Sequence, residues 1–327
     1  MKLATLRTSR PDGELVVVSR DLKRMRRVSD IAPTLQAALD DWGRAKLLLA
    51  ARHQALVEGK DSAAEAFDPA RAHSPLPRAY QWCDGSVFSA HMERMAKWIK
   101  KPIDPLYYDE PWMYQGASDA FLAPTDPIPG VSEDWGIDYE AEVVVVTDAV
   151  PYGVKEQAAG AHIALVMLAN DVSLRNLIPP ELSKGFGFVQ SKPASAFSPI
   201  AVTPDELGGA WRDNRLHLRL RSFVNGVLFG DPDAGEMIHG FDRLISYVAK
   251  TRALSPGSII GSGTVANSDL ARGTSCITER RVIETLEHGS PKTPFLRFGD
   301  RVKLEMLDQN GHSIFGAIEQ EVVRVHQ

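Results

Sequence analysis

The stretch Tyr139–Asp148, YEAEVVVVTD, decides the fold. Four consecutive valines, Val143–Val146, follow two glutamates spaced two residues apart. Valine is stiff at its branched β-carbon and favours extended chain. A short apolar run of this kind reads as a central strand buried on both faces. In an extended chain Glu140 and Glu142 point to the same side. Charged residues are mostly exposed, so two glutamates with this spacing more often mark a solvated edge strand. The valine run moves the reading to a central one. Two carboxylates on one face of a buried strand cannot both stay ionised and unpaired. A divalent cation resolves that conflict, and all-oxygen ligation suits Mg2+, Ca2+ or Mn2+.

Two further acids stand beside apolar residues. Asp171 follows the mostly apolar run Ile163–Ala169 in LANDVSLRN, and Asp84 sits in WCDGS. Each also has an ordinary reading: Asp171 as a cap or turn, with Arg175 four residues on as a salt-bridge partner, and Asp84 as an Asp-Gly turn.

Around this centre the chain predicts a sheet-rich α+β protein. Residues 1–20 read as a hairpin with its turn at Pro11–Gly13. Asp30–Gly59 reads as helix, with Leu35, Ala38, Leu39, Trp42, Ala45 and Leu49 at three- and four-residue spacing. Ser74–Pro77, SPLP, is a stiff connector, which divides the chain into a small N-terminal domain, 1–73, and a main domain, 74–327. Phe88–Trp98 reads as a short helix with His91 and Arg94 on its polar side. Residues 99–136 read as irregular loop, in which Tyr107, Tyr108, Trp112, Met113 and Tyr114 form a lid or pack on the sheet. Val154–Ala169 reads as a helix running into a strand at Leu165–Val172, and Pro180–Ser198 as glycine-rich loop. His239–Arg252 is a helix. Leu216–Phe223 and Val302–Leu307 are strands followed by Asn-Gly turns at 225–226 and 310–311. The many hairpin signals favour α+β over a doubly wound sheet.

Composition removes several classes. The 327 residues carry 37 Lys plus Arg and 42 Asp plus Glu, a net charge of −5, which offers nothing to nucleic acid or an anionic membrane. The basic run KRMRR at 23–27 is short and isolated. Two cysteines, Cys83 and Cys276, make neither a disulfide scaffold nor a cysteine-rich zinc module. No apolar run approaches the roughly 20 residues of a membrane span. With no secretory signal, the expected compartment is the cytoplasm.

The joint order of four strings resembles the fumarylacetoacetate hydrolase family. They are DYEAEVVVV at 138–146, NDVSLRN at 170–176, QSKPASAFSP at 190–199 and LSPGSIIGSGTVAN at 254–267. The resemblance spans roughly residues 78–325. It implies a fumarylacetoacetase-type C-terminal domain, a mixed β-sandwich roll, behind a small N-terminal domain. It implies a divalent-metal site at Asp84, Glu140, Glu142 and Asp171, and a homodimer. It places a general base at His91, seven residues after Asp84. Smaller members carry a glutamate three after that histidine. Here the string is HMER, with Glu93 two after it. In longer members another acid orients the histidine, and Glu279 in SCITER matches it. Lys192 matches a lysine near the substrate oxygens, Arg175 matches a catalytic-site arginine four residues after the metal aspartate, and Tyr114, Gln190 and Thr264 stand as substrate contacts. Two family positions differ: Ile178 replaces an expected glutamine, and Asn267 replaces the last glycine of the GTxxG-like loop.

The implied chemistry is metal-dependent hydrolysis of a carbon–carbon bond in a 1,3-diketo acid, fumarylacetoacetate or a related acylpyruvate. The small-molecule diketo acid is the only partner expected besides a second copy of the chain. The same site also suits a decarboxylase, isomerase or hydratase acting on a related β-keto or enol acid. A binding protein of the same fold that lost the chemistry is a further alternative, opposed by the presence of all four acids.

Overall fold

The computed structural model describes residues 1–325. Ala141–Thr147 forms the predicted strand, and every residue in it is buried. Its antiparallel neighbour is Ile163–Asn170, with Glu142 opposite Ala169 and Ala141 opposite Asn170. On the other side lies Ile259–Gly261, followed by Trp82–Gly85 and Met113–Gly116. These strands belong to one twelve-stranded sheet. A five-stranded sheet, in the order Val227–Gly230, Leu220–Val224, Arg301–Leu307, Ser313–Arg324 and Ile128–Gly130, packs against it. This is the expected α+β sandwich of mixed sheets.

Alternation along the central strand explains its two-sided burial. Val143 and Val145 join a core with Phe241, Leu244, Leu304 and Ile318. Val144 and Val146 join a second core with Leu35, Trp42 and Leu49 from the N-terminal helices. By the same alternation Glu142 shares the face of Val144 and Val146. Burying both faces removes the polar alternation that would otherwise mark a strand.

The N-terminal strands are part of the large sheet. Lys2–Leu6 pairs with Glu14–Val18 as the predicted hairpin, and Lys2 also lies opposite Val202. Leu35–Asp40 and Trp42–Val57 are two helices where one was expected, with Asp41 between them off helical geometry (φ −130°, ψ 47°). The hairpin at Asn225-Gly226 forms as predicted, both residues having positive φ.

Three expectations need correction. Residues 154–169 are not a long helix. Only Glu156–Ala159 is α-helical, and the strand starts at Ile163. All eight residues of that strand are buried, so its sequence carries no period from which to tell strand from helix. Residues 180–198 are not wholly loop, because Ile178–Lys184 is helical with Pro179 and Pro180 in its first turn, where proline fits. Residues 99–136 contain the helix Leu106–Asp109 and the strands Met113–Gly116 and Ile128–Gly130. Among the described residues no helix is long and apolar enough to cross a membrane.

Candidate metal centre and active site

The sheet register brings the four acids together. Parallel pairing sets Asp84 opposite Gly261, which in turn neighbours Val144 on the central strand. A β-carbon on Gly261 would lie 2.3 Å from Asp84 Oδ1, so glycine is needed for this approach. Gly263, at φ +76°, donates its N–H to the same oxygen at 3.0 Å. Asp171 follows the strand Ile163–Asn170 and is held by its backbone N–H on the Glu140 carbonyl at 3.0 Å. Asp84, Glu140, Glu142 and Asp171 each place a carboxylate oxygen within 4.8 Å of the others, and all four are buried.

Two cations serve part of this charge. Lys192 Nζ donates to Glu140 Oε2 and Asp171 Oδ2, both at 2.5 Å, and to Ser173 Oγ at 2.8 Å. Arg175 lies 2.8 Å from Glu140 Oε1 through Nη2 and donates from Nε to Asp138 Oδ2 at 2.8 Å. Arg175 therefore pairs with Asp138 and Glu140, and the simple Arg175–Asp171 bridge does not form. Asp171 is further held by Tyr114 OH at 2.7 Å and Ser195 Oγ at 2.9 Å.

The electrostatics divide the acids. Burial raises the Glu140 carboxyl, but Lys192, Arg175 and, more weakly, His91 outweigh it and hold it well below the usual carboxylate range. Burial, followed by the charge of Asp171, pushes Asp84 up to about 8. Glu142 is raised well above its ordinary value by burial and then by Asp84, Asp171 and Glu140. Glu142 is 0% exposed, and neither of its carboxylate oxygens has a hydrogen-bond partner. Buried carboxylates normally find partners. Two orphaned oxygens beside three other acids are the donor arrangement that a hard divalent cation satisfies, so these residues fit a metal.

The helix Ser89–Ile99 carries His91 beside this cluster, and Ile277–His288 packs against it. His91 Nδ1 lies 3.1 Å from Glu279 Oε2. The other Glu279 oxygen accepts from Arg94, whose second arm reaches the Asn267 carbonyl at 2.5 Å. Glu279 is fully buried; burial raises its carboxyl, but the hydrogen bond from His91 and the charges of His91 and Arg94 bring it below its ordinary value. Glu93 is not brought to His91. It is exposed and lies near Tyr108 OH at 3.4 Å, because on a helix a residue two positions on faces away.

The expected substrate contacts separate. Tyr114 reaches the cluster, with its ring edge-on to Phe188 at 4.9 Å and under the Lys192 ammonium at 5.5 Å. Thr264 is buried beside Gly263. Gln190 is exposed, and only its backbone is anchored, on Glu181 at 2.8 Å. Tyr107 is buried against Tyr108 and Trp112, so part of the aromatic loop packs inward.

Sequence reasoning passed over three contributors. Ser173 and Ser195 hold Lys192 and Asp171, yet a lone serine carries no signal. Asp138 accepts from Arg175 and opens the string DYEAEVVVV, but nothing local distinguishes it from a strand-entry polar residue.

Residues 81–323 match the family model Fumarylacetoacetate (FAA) hydrolase C-terminal, and residues 1–78 match Fumarylacetoacetase N-terminal domain 2. Mitochondrial oxaloacetate tautomerase of Bos taurus is 28% identical over 229 residues, covering 67% of this chain and 93% of its own. The crystal structure of fumarylacetoacetate hydrolase from Exiguobacterium antarcticum superposes with a TM-score of 0.67 at 17% identity, over 99% of this chain and 100% of its own. Maleylpyruvate hydrolase from Sphingobium sp. SYK-6, solved with manganese(II) and pyruvate, gives 0.66 at 16% identity over the full length of both chains. Family members are enzymes, among them hydrolases and tautomerases, and some bind metal. Together the two family models account for nearly the whole chain, and the protein belongs to the fumarylacetoacetate hydrolase family.

Proposed function

We propose that the protein hydrolyses a carbon–carbon bond in an acylpyruvate-type 1,3-diketo acid, using a divalent cation held by Asp84, Glu140, Glu142 and Asp171. The observation that carries this reading is the His91–Glu279 pair beside the four-acid cluster. Bound there, a cation such as Mg2+ or Mn2+ supplies Lewis-acid polarisation of the substrate oxygens. With Nδ1 engaged by Glu279, His91 has Nε2 left to take a proton from water. Glu279 fixes the ring and offsets the imidazolium charge, and Arg94 fixes Glu279. The hydroxide adds to the carbonyl carbon, the carbon–carbon bond breaks, and its electron pair passes to the enolate of the departing pyruvate unit. Lys192 offsets the negative charge developing on oxygen. The proton on His91 returns to the enolate carbon, which gives a carboxylic acid and pyruvate. Tyr114 and Thr264 line the substrate side, and a homodimer in the cytoplasm is the assembly we expect.

A second reading follows from the similarity to oxaloacetate tautomerase. There His91 would shuttle a proton between carbon and the enol oxygen, so that a C–H bond is broken or formed while every carbon–carbon bond stays intact. A panel of acylpyruvates, fumarylacetoacetate and oxaloacetate, assayed with Mg2+ or Mn2+, tests both. Pyruvate release from a diketo acid supports hydrolysis. Enol–keto exchange of oxaloacetate without any hydrolysis across the panel would replace the first reading with the second.

A further inference from the structure

Asp138 is fully buried two residues ahead of Glu140. Its carboxylate accepts four N–H groups. Oδ1 takes the backbone N–H of Tyr139 and of Ile277, each at 2.8 Å. Oδ2 takes the backbone N–H of Thr278 at 2.9 Å and Arg175 Nε at 2.8 Å. These donors come from three different parts of the site. Tyr139 leads into Glu140. Ile277 and Thr278 open the helix that carries Glu279 one residue later, with the Glu279 N–H on Cys276 Sγ at 3.4 Å. Arg175 reaches on to Glu140 itself.

A carboxylate at a helix N-terminus satisfies orphan N–H groups and meets the positive end of the helix dipole. Bonds to an ionised acceptor are the stronger class. Here one carboxylate ties the metal-side arginine and the base-side helix into a single frame.

We propose that Asp138 is a positioning residue, holding Arg175 and the start of the Glu279 helix so that Glu140 is set for a cation and Glu279 is set for His91. The catalytic half of this statement rests on the reaction proposed above, whereas the cation half rests on the carboxylate cluster alone. Without the Asp138 charge, Arg175 is free to turn both arms onto Glu140, and a bidentate guanidinium competes with a cation for that carboxylate. In Asp138→Asn the amide nitrogen also faces N–H donors, so the first turn of the helix shifts and carries Glu279 with it.

The test combines Mn2+ calorimetry on chelator-treated protein, steady-state kinetics at saturating Mn2+, and thermal melts. The proteins are wild type, Asp138→Asn, Arg175→Gln and the double variant. Asp138→Asn should bind Mn2+ about 10-fold or more weakly and lose about 10- to 100-fold in kcat, the range seen for residues behind metal ligands, with little change in KM. Adding Arg175→Gln should restore most of the lost Mn2+ affinity, because the competing guanidinium is gone, while kcat stays low. A merely structural residue would lower the melting temperature and move neither reading. Mn2+ affinity and kcat of Asp138→Asn both within about twofold of wild type would therefore overturn the proposal. Should Asp138→Asn fail to fold, Asp138→Ser probes the same link, since a hydroxyl can accept an N–H but brings no charge to hold Arg175. Mn2+ affinity and kcat both within about twofold of wild type in that variant would overturn the proposal equally. If the wild type turns over no substrate in the panel, the reaction reading fails by itself, and the calorimetric series decides Asp138 independently.

Discussion

His91 Nδ1 sits 3.1 Å from Glu279 Oε2, although 188 residues separate the two in sequence. The pair exists because the helices Ser89–Ile99 and Ile277–His288 pack together beside the acid cluster. It engages Nδ1 and leaves Nε2 as the ring nitrogen for the proton transfer proposed above.

Removing that nitrogen should separate two reactions. In His91→Ala, acylpyruvate hydrolysis should fall by about 10²- to 10⁴-fold, the usual contribution of a general base. Any metal-dependent decarboxylation of oxaloacetate should persist, because it needs no activated water. Assaying both activities on one preparation checks this. Parallel loss of the two would assign His91 a role in binding or folding instead.

Glu142 carries the clearest sign of a cation. Both of its oxygens are buried without partners. In Glu142→Gln, Mn2+ binding should be lost in calorimetry. The same variant should melt at a higher temperature than wild type when both are treated with chelator, because a glutamine escapes the cost of burying a carboxyl whose pKa the fold raises well above its unfolded value. A lower melting temperature under chelator would contradict the orphaned-acid argument.

A pH effect lies far from the site. His53 is buried on the helix Trp42–Val57, its Nε2 has no partner, and burial pulls its pKa down to about 4. A histidine held neutral in the fold but ordinary when unfolded contributes stability above about pH 6.5 that is lost as pH falls through about 4. Melting temperatures measured from pH 7 to 4 should decline, and His53→Leu should flatten that decline. Identical slopes for the two proteins would remove His53 from the explanation.

Glu181 anchors the segment that delivers Lys192. Its carboxylate accepts the backbone N–H groups of Val189, Gln190 and Ser191 at 3.0, 2.8 and 3.1 Å. Just before them, Phe186 is 96% exposed between Gly185 and Gly187, both at positive φ. Glu181→Gln should loosen this loop and raise the rate of proteolytic nicking near Phe186. It should also lower kcat through misplacement of Lys192 by roughly the 10- to 100-fold of a supporting contact. Unaltered nicking and turnover would show that the loop holds its shape without the clamp.

How much of this was legible depends on the range of the interaction. Ala141–Thr147 could be read because four valines in a row leave no other economical placement. The helix around His91 and the turn at Asn225-Gly226 could be read because their signals are local. Ile163–Asn170 could not be told from a helix, since a strand buried on both faces loses its alternation. Nor could Glu93 be set aside in favour of Glu279 by spacing alone.

The sequence by itself determined the chemistry available: four acids beside apolar runs, a histidine seven residues after one of them, and a lysine and an arginine near the others. Those are properties of residue type and of short-range pattern, which the chain carries before it folds. Only the tertiary structure decided the assignments. Lys192 rather than Arg175 serves Asp171, Glu279 rather than Glu93 holds His91, and Asp138 joins the two halves of the site. Each of those depends on sheet register and helix packing across tens to hundreds of residues, where a displacement of one residue turns a side chain to the opposite face.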